Sequence, residues 1–233
     1  MLGEYKINVI PGCTKLPQVL ASGLDNVLNS LVGASYKPIA YLGSQLVHGT
    51  NHALLCEQTL ITGKAPKAIV LVVINEKTDE EGKNNLSIVD ITKVLDGSNT
   101  LGGINISINT KVPDDIMNLF NERFKGLLGA THKPFAVLAT QVTNGTAYYL
   151  AVESSLITGP VGDVEVFAPS EIVSKIQIVK IFSKYPEIQF KTILAGNKDT
   201  DVKVDEDTVN PSSLAGKVFG YAFTWLTPKD SWC

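Results

Sequence analysis

Apolar residues recur at helical spacing in two parts of the chain. They lie three and four positions apart at Leu16, Leu20, Leu24, Val27, Leu28 and Leu31, and again at Ile116, Leu119, Phe120, Phe124, Leu127 and Leu128. This spacing puts them along one helix face and predicts one helix in each part. Pro17 and Pro113 stand at the predicted helix starts, where a missing N–H costs nothing. Gly33 and Gly129 are placed to end the helices.

Alternating and apolar stretches surround each helix and predict strands. A short strand precedes the helix, at residues 5–10 and 104–109. Hairpins follow, at 38–47 with 51–61 and at 134–143 with 147–157, because His48-Gly49 and Asn144-Gly145 favour tight turns. Strands at 68–75, 87–94, 164–168 and 176–182 complete the two parts. Each part reads β-α-β-β-β-β, an antiparallel sheet meandering around one helix, which is an α+β architecture.

The two parts are copies of one unit. From residue 31 to residue 63, 16 of 33 positions are identical to those 96 residues further on. A period this long is typical of two whole domains rather than a solenoid. We predict repeat one at residues 1–98, repeat two at 99–185 and a C-terminal extension at 186–233. The extension is expected to form strand, because residues 218–226 are rich in aromatic side chains.

Composition and charge exclude several classes of function. The net charge is −3 and Arg123 is the single arginine, which argues against nucleic-acid binding and against a phosphate clamp. The longest apolar run, residues 68–74, is far shorter than the ~20 residues of a membrane-spanning helix. The first residues carry no secretory signal pattern, so we expect a cytoplasmic protein without membrane contact.

Candidate catalytic and metal-binding groups are sparse. Cys13, Cys56 and Cys233 form no CxxC pair, so the sequence supports neither a disulfide framework nor a zinc site. His48 and His52 could share a strand face, but no third ligand is close in sequence. The chain has no nucleophile elbow, phosphate loop or dinucleotide-binding glycine motif. We therefore predict no enzymatic activity, no metal and no cofactor.

Residues 45–51, which read Gln-Leu-Val-His-Gly-Thr-Asn, resemble the Gln-Val-Val-Ala-Gly-Thr-Asn segment of cystatins, especially the stefin type. Leu2-Gly3 and Leu101-Gly102 lie where cystatins carry their N-terminal glycine trunk, and residues 76–85 and 169–174 lie where they carry a second binding hairpin. His48, Thr143 and Asn144 depart from the motif, and the tail from residue 187 has no counterpart in the family. The implied fold is two tandem cystatin-like units, each an antiparallel sheet wrapped around one helix, plus the extension.

The resemblance implies reversible inhibition of papain-like cysteine proteases, in which a trunk and hairpin loops enter the cleft without presenting a cleavable bond. Glycine at a hairpin tip lets the backbone approach the partner closely. The protease-binding residues implied are Leu2, Gly3, Gln45, Leu46, Val47, His48, Gly49, Gln141, Val142, Thr143, Asn144 and Gly145. Repeat one is favoured as the active wedge, because Leu101-Gly102 is tethered by a short linker.

The alternative function is a structural module without inhibitory activity. Such a module would use sheet edges and hairpins to bind other proteins or other copies of the chain. Self-association by domain swapping is also expected of two units this similar. A stable monomer would favour the inhibitor, and a size that grows with concentration would favour the module.

Overall fold

The computed structural model describes residues 3–62, 64–98, 100–156 and 173–198. Leu2, the strand predicted at 164–168 and the tail 199–233 lie outside these ranges. Ten strands and two helices follow one another along the described residues. They are β1 (Tyr5–Pro11), α1 (Gln18–Asn29), β2 (Ala34–Val47), β3 (Gly49–Leu60), β4 (Lys67–Thr78), β5 (Asn84–Asp96), β6 (Ile104–Asn109), α2 (Asp114–Phe124), β7 (Ala130–Thr143), β8 (Gly145–Leu156), β9 (Val173–Phe182) and β10 (Ile188–Lys198).

All ten strands belong to one sheet, in the order β5-β4-β3-β2-β1-β10-β9-β8-β7-β6. The strands β1 and β10 run parallel, and every other neighbouring pair is antiparallel. The first half of the chain supplies one side of the sheet, and the second half supplies the other with its strands in the same order, from its fifth strand to its first. The sheet is therefore mixed, and its only parallel joint among the described strands is where the two halves meet.

The predicted fold class, two tandem cystatin-like units with separate antiparallel sheets, is wrong. The described strands of both halves form one mixed sheet, and the helices within the described ranges are the two short ones, α1 and α2. At the joint, Tyr5, Lys6 and Ile7 pair with Gly196, Asn197 and Lys198. A free sheet edge leaves backbone N–H and C=O groups without partners. Pairing β1 with β10 removes one such edge from each half, which two separate sheets would have kept.

Three hydrophobic clusters hold the layers together. On one face, α1 packs on the first half of the sheet through Leu20, Leu24 and Leu28. Likewise α2 packs on the second half through Ile116, Phe120 and Phe124. The opposite faces of the two halves share a single core, to which β2–β4 contribute Ile39, Leu42, Leu55, Ile69 and Leu71, and β7–β9 contribute Phe135, Leu138, Tyr149, Ile176 and Ile178. This shared core binds the halves to each other.

The apolar run at residues 68–74 is explained by burial on both faces of β4. Val70 and Val72 face the α1 cluster, while Ile69 and Leu71 face the shared core. A strand covered on both faces has no polar side to alternate with, so its sequence is continuously apolar.

The two helices begin where the sequence predicts and end earlier. Pro17 and Pro113 occupy the N-cap positions of α1 and α2. The helices stop at Asn29 and Phe124, several residues before Gly33 and Gly129, which adopt positive φ in the turns that lead into β2 and β7. Neither helix in the described ranges has the length and apolar character needed to cross a membrane.

Candidate functional site

The turn between β2 and β3 forms an exposed point, which we call the first tip (residues 45–49). Val47 pairs with Gly49 in the ladder, so His48 alone stands at the apex. Gly49 has φ +99°, a conformation that glycine adopts without strain. A Cβ at this position would lie 2.3 Å from the carbonyl oxygen of Glu76 on β4. Glycine is thus required both by the turn and by the strand beside it.

Gln45 fastens the leading residues of the described chain to the first tip. Its Nε2 donates to the carbonyl oxygen of Gly3 at 2.8 Å, and the N–H of Gly3 donates to the carbonyl oxygen of Leu46 at 3.2 Å. Asn51 on β3 donates to Gln45 Oε1 at 3.2 Å, and Asn75 on β4 donates to Asn51 Oδ1 at 2.9 Å. This ladder of amides runs across the end of the sheet and fixes Gly3 beside the tip.

The loop between β4 and β5, together with the strand ends that flank it, lies on the other side of the first tip. We call it the charged loop (residues 76–85). An open groove separates it from the apex and is lined by His48, Lys77, Thr78, Asp79, Glu80 and Asn85. The pKa of Asp79 is lowered, because the backbone N–H of Lys83 and the side-chain amide of Asn85 donate to its carboxylate. Gly3, the first tip and the charged loop therefore stand side by side at one end of the first half.

The second half repeats this arrangement with different partners. Gln141 Nε2 donates to the carbonyl oxygen of Gly102 at 2.8 Å, as Gln45 does to Gly3. Its Oε1 accepts from the hydroxyl of Tyr149 at 2.8 Å, where the first half uses Asn51. Burial raises the pKa of Tyr149 to about 12, so this hydroxyl remains a donor at neutral pH. Both glutamines thus hold a glycine next to a hairpin turn, the second of which (residues 141–145) we call the second tip.

The described loop beside the second tip joins β9 to β10, whereas the resemblance places residues 169–174 there. Residues 169–172 lie outside the described ranges, and Ser174 belongs to β9. Residues 183–187, between β9 and β10, take this place, and we call them the tyrosine loop. Asn144 Nδ2 donates to the hydroxyl of Tyr185, and Arg123 on α2 donates to the carbonyl oxygens of Phe182 and Ser183. The loop is therefore held from the tip and from the helix.

The residues predicted to bind a protease differ in their exposure. Leu46 and Val142 occupy equivalent positions and are 74% and 75% exposed. His48, Thr143 and Asn144 are also exposed, whereas Gln45, Val47, Gly49, Gln141 and Gly145 are partly buried. Gly3 is described and Leu2 is not. Side chains that offer apolar contact thus project beside the two glutamines.

Four further residues form hydrogen bonds at the two tips and were not predicted from the sequence. They are Asn51, Asn75, Tyr149 and Tyr185. Asn51 could have been found, because Gln45 and Asn51 lie three positions on either side of the apex His48. Such residues face each other in an antiparallel hairpin. The other three depend on strand and loop neighbours that the sequence pattern does not specify.

His52 is a buried structural residue. Its Nδ1 lies 3.1 Å from the hydroxyl of Tyr41, and its Nε2 lies 3.0 Å from the carboxylate of Glu76. It therefore links β2, β3 and β4 beneath the first tip. Within the described ranges, no three histidine, cysteine, aspartate or glutamate side chains gather as a metal ion would require.

Comparison of the chain with protein-family models, with curated proteins and with solved structures finds no match.

Proposed function

We propose that the chain is a reversible protein inhibitor of papain-like cysteine proteases, with no catalytic activity of its own. In this proposal Gly3 and the first tip enter the active-site cleft together. The observation that supports it most is the 2.8 Å hydrogen bond from Gln45 to Gly3, which holds two segments distant in sequence at one exposed point. A surface ordered before it meets its partner loses little entropy on binding.

The exposed side chain of Leu46 supplies the apolar contact in this proposal. Full burial of a leucine side chain contributes about 1.5–3 kcal/mol, so one such residue between the trunk and the apex adds substantially to affinity. The pairing of Val47 with Gly49 keeps the tip folded back on itself. A protease cleaves an extended chain, so this closed turn offers contact without a scissile bond.

A cytoplasmic location is part of the proposal. Cys13 and Cys56 are free thiols, and such thiols are typical of reducing compartments. The target class, papain-like proteases, rests on the resemblance of residues 45–51 to the cystatin segment.

The test is a titration of papain with the full chain and three variants, Leu46→Glu, Val142→Glu and the double variant. Both positions are three-quarters exposed, so the substitutions leave the cores intact. We expect inhibition near the nanomolar range that Leu46→Glu weakens by at least about a hundredfold (~3 kcal/mol), while Val142→Glu leaves it unchanged. The opposite result would assign inhibition to the second tip. Absence of inhibition by the unaltered chain at about 50 μM would refute the proposal.

A second candidate, an assembly module, is favoured by exposed apolar side chains at the ends of the halves away from the tips. Val32 is 99% exposed, and Ile61 lies in the adjoining turn, where its N–H donates to the carbonyl oxygen of Gly33 at 2.9 Å. Leu127 and Leu128 are exposed in the equivalent turn of the second half. Light scattering over a range of concentrations tests it: a growing mass that Val32→Ser and Leu128→Ser abolish supports assembly, and a constant monomer mass refutes it.

A further inference from the structure

We propose that the last described strand of the second half positions the leading residues of the first, with Gly196 and Asn197 as positioning residues. This inference rests on the proposed function, because those leading residues form part of the proposed protease-binding surface. It implies that the two halves do not act as independent inhibitors.

The leading residues are held from both sides. Tyr5 pairs with Gln45 on β2 and, on its other side, with Gly196 on β10. Glu4, the residue before Tyr5, accepts a hydrogen bond at its Oε2 from Asn197 Nδ2 at 2.7 Å. Hydrogen bonds to a charged acceptor are stronger than those between neutral groups. Tyr5 therefore lies between two strands, one from each half, and Glu4 just before it is bound to the second half.

Gly196 makes this approach geometrically feasible. A Cβ at residue 196 would lie 2.0 Å from the carbonyl oxygen of Tyr5 and 2.8 Å from its carbonyl carbon. Both are backbone atoms, so a side chain at this position forces β1 and β10 apart. Glycine in a strand interior marks a site of close backbone approach, and here it brings Asn197 within reach of Glu4.

The second half has no such support for its own leading residues. Its first strand, β6, is an edge strand that pairs with β7 alone among the described strands. Gln141 holds Gly102 from one side, and the neighbouring Leu101 is fully exposed. The structure thus holds Tyr5, two residues after Gly3, on two sides, and holds Gly102 of the second half on one.

The test combines hydrogen exchange with protease dissociation in the full chain, for Glu4→Ala, Asn197→Ala, the double variant and Glu4→Gln. We expect each alanine variant to speed amide exchange of residues 4–7 and dissociation of the papain complex by about two- to fivefold. The effect of the double variant should be smaller than the sum of the two single effects, because both variants remove the shared Glu4–Asn197 hydrogen bond. Glu4→Gln retains an acceptor oxygen but loses its charge, so its effects should be smaller than those of Glu4→Ala. Residues 102–106 serve as an internal control whose exchange stays constant.

Gly196→Ala is the stronger perturbation and should raise exchange in both β1 and β10. Unchanged exchange in all the alanine variants would overturn the inference, and so would effects that add in the double variant. Faster exchange with unchanged dissociation would overturn the positioning role. If the unaltered chain does not inhibit papain, the proposed function fails, while the exchange data still decide whether β10 anchors residues 4–7.

Discussion

Gln45 donates its side-chain amide to the carbonyl oxygen of Gly3 across 2.8 Å. Gly3 leads into β1, and Gln45 lies near the end of the adjacent strand β2. Gly3 also donates its N–H to the carbonyl oxygen of Leu46, and Gln45 also accepts from Asn51. The first tip and the chain in front of β1 therefore behave as one unit, and removing the amide should release one from the other.

Gln45→Ala should expose the leading residues to trimming. A broad-specificity aminopeptidase can remove residues only when they detach from the sheet. Loss of a hydrogen bond worth about 1 kcal/mol should raise the rate of trimming past Gly3 by roughly fivefold. Intact-mass spectrometry measures the rate. Gln141→Ala, the equivalent change in the second half, is the control and should leave the rate unchanged; equal rates for both variants would contradict the prediction.

Gly49→Ala should destabilise the chain more than Gly145→Ala. Both glycines have positive φ, at +99° and +111°, so alanine costs about 1–2 kcal/mol of strain at either. At residue 49 the new Cβ also meets the backbone carbonyl of Glu76, whereas at residue 145 it meets the side chains of Ser183 and Lys184. Side chains can move aside and backbone cannot. Urea unfolding should give the lower midpoint for Gly49→Ala, and equal midpoints would refute this reasoning.

The stability of the chain should fall as the pH drops below about 6.5, in part because of His132. Burial lowers the pKa of His132 in the folded state, while the unfolded residue keeps a pKa near 6.5. The unfolded chain therefore binds more protons between those two values. The contribution of neutral His132 to stability is full above the pKa that this residue has in the unfolded chain. It is lost as the pH falls toward the pKa that the residue has in the folded chain.

His132→Tyr tests this, because Tyr36 occupies the equivalent position in the first half. The ring lies against Phe124 and Phe190, and Nδ1 lies 2.8 Å from Ser154 Oγ, so an aromatic replacement with a hydroxyl suits the site. The melting temperature, measured from pH 7.5 to 5, should decline less in the variant. Parallel curves for the two proteins would show that His132 does not titrate on unfolding.

Cys13 and Cys56 should resist alkylation in the folded chain. Burial raises the pKa of Cys13 to about 11 and raises that of Cys56 further, so the reactive thiolate is scarce at neutral pH. Peptide mass spectrometry after iodoacetamide treatment at pH 7.5 should show both residues unmodified, and both modified once the chain is unfolded in urea. Rapid labelling of native Cys56 would mean that the α1 cluster opens easily.

Local pattern in the sequence predicts the hairpins and the helix starts well. His48-Gly49 and Asn144-Gly145 turn where expected, and Pro17 and Pro113 stand at the heads of α1 and α2. These features depend on a few adjacent residues whose φ preferences are strong. The same holds for Gln45 and Asn51, which the hairpin register alone brings together.

The parallel joint could not be predicted in this way. Tyr5 and Gly196 are separated by almost the whole described chain, and pairing between them leaves no periodicity in either segment. Residues 68–74 carry an indirect signal. A strand with one face in solvent should alternate apolar and polar side chains, and this run is apolar throughout. It indicates a covered second face, and the shared core supplies that cover.

The pairing of β1 with β10 also means that the sheet cannot be completed until late in synthesis on the ribosome. The strands of the first half are complete once Asp96 has emerged, but β10 begins only at Ile188. At about 5–20 residues per second, translation of the intervening chain takes several seconds. Throughout that interval the side chains of Leu55, Ile69 and Leu71 lack the partners from β7–β9 that they contact in the shared core. The nascent first half is therefore a natural client for chaperones that bind apolar strands, and it stops being one when the second half arrives.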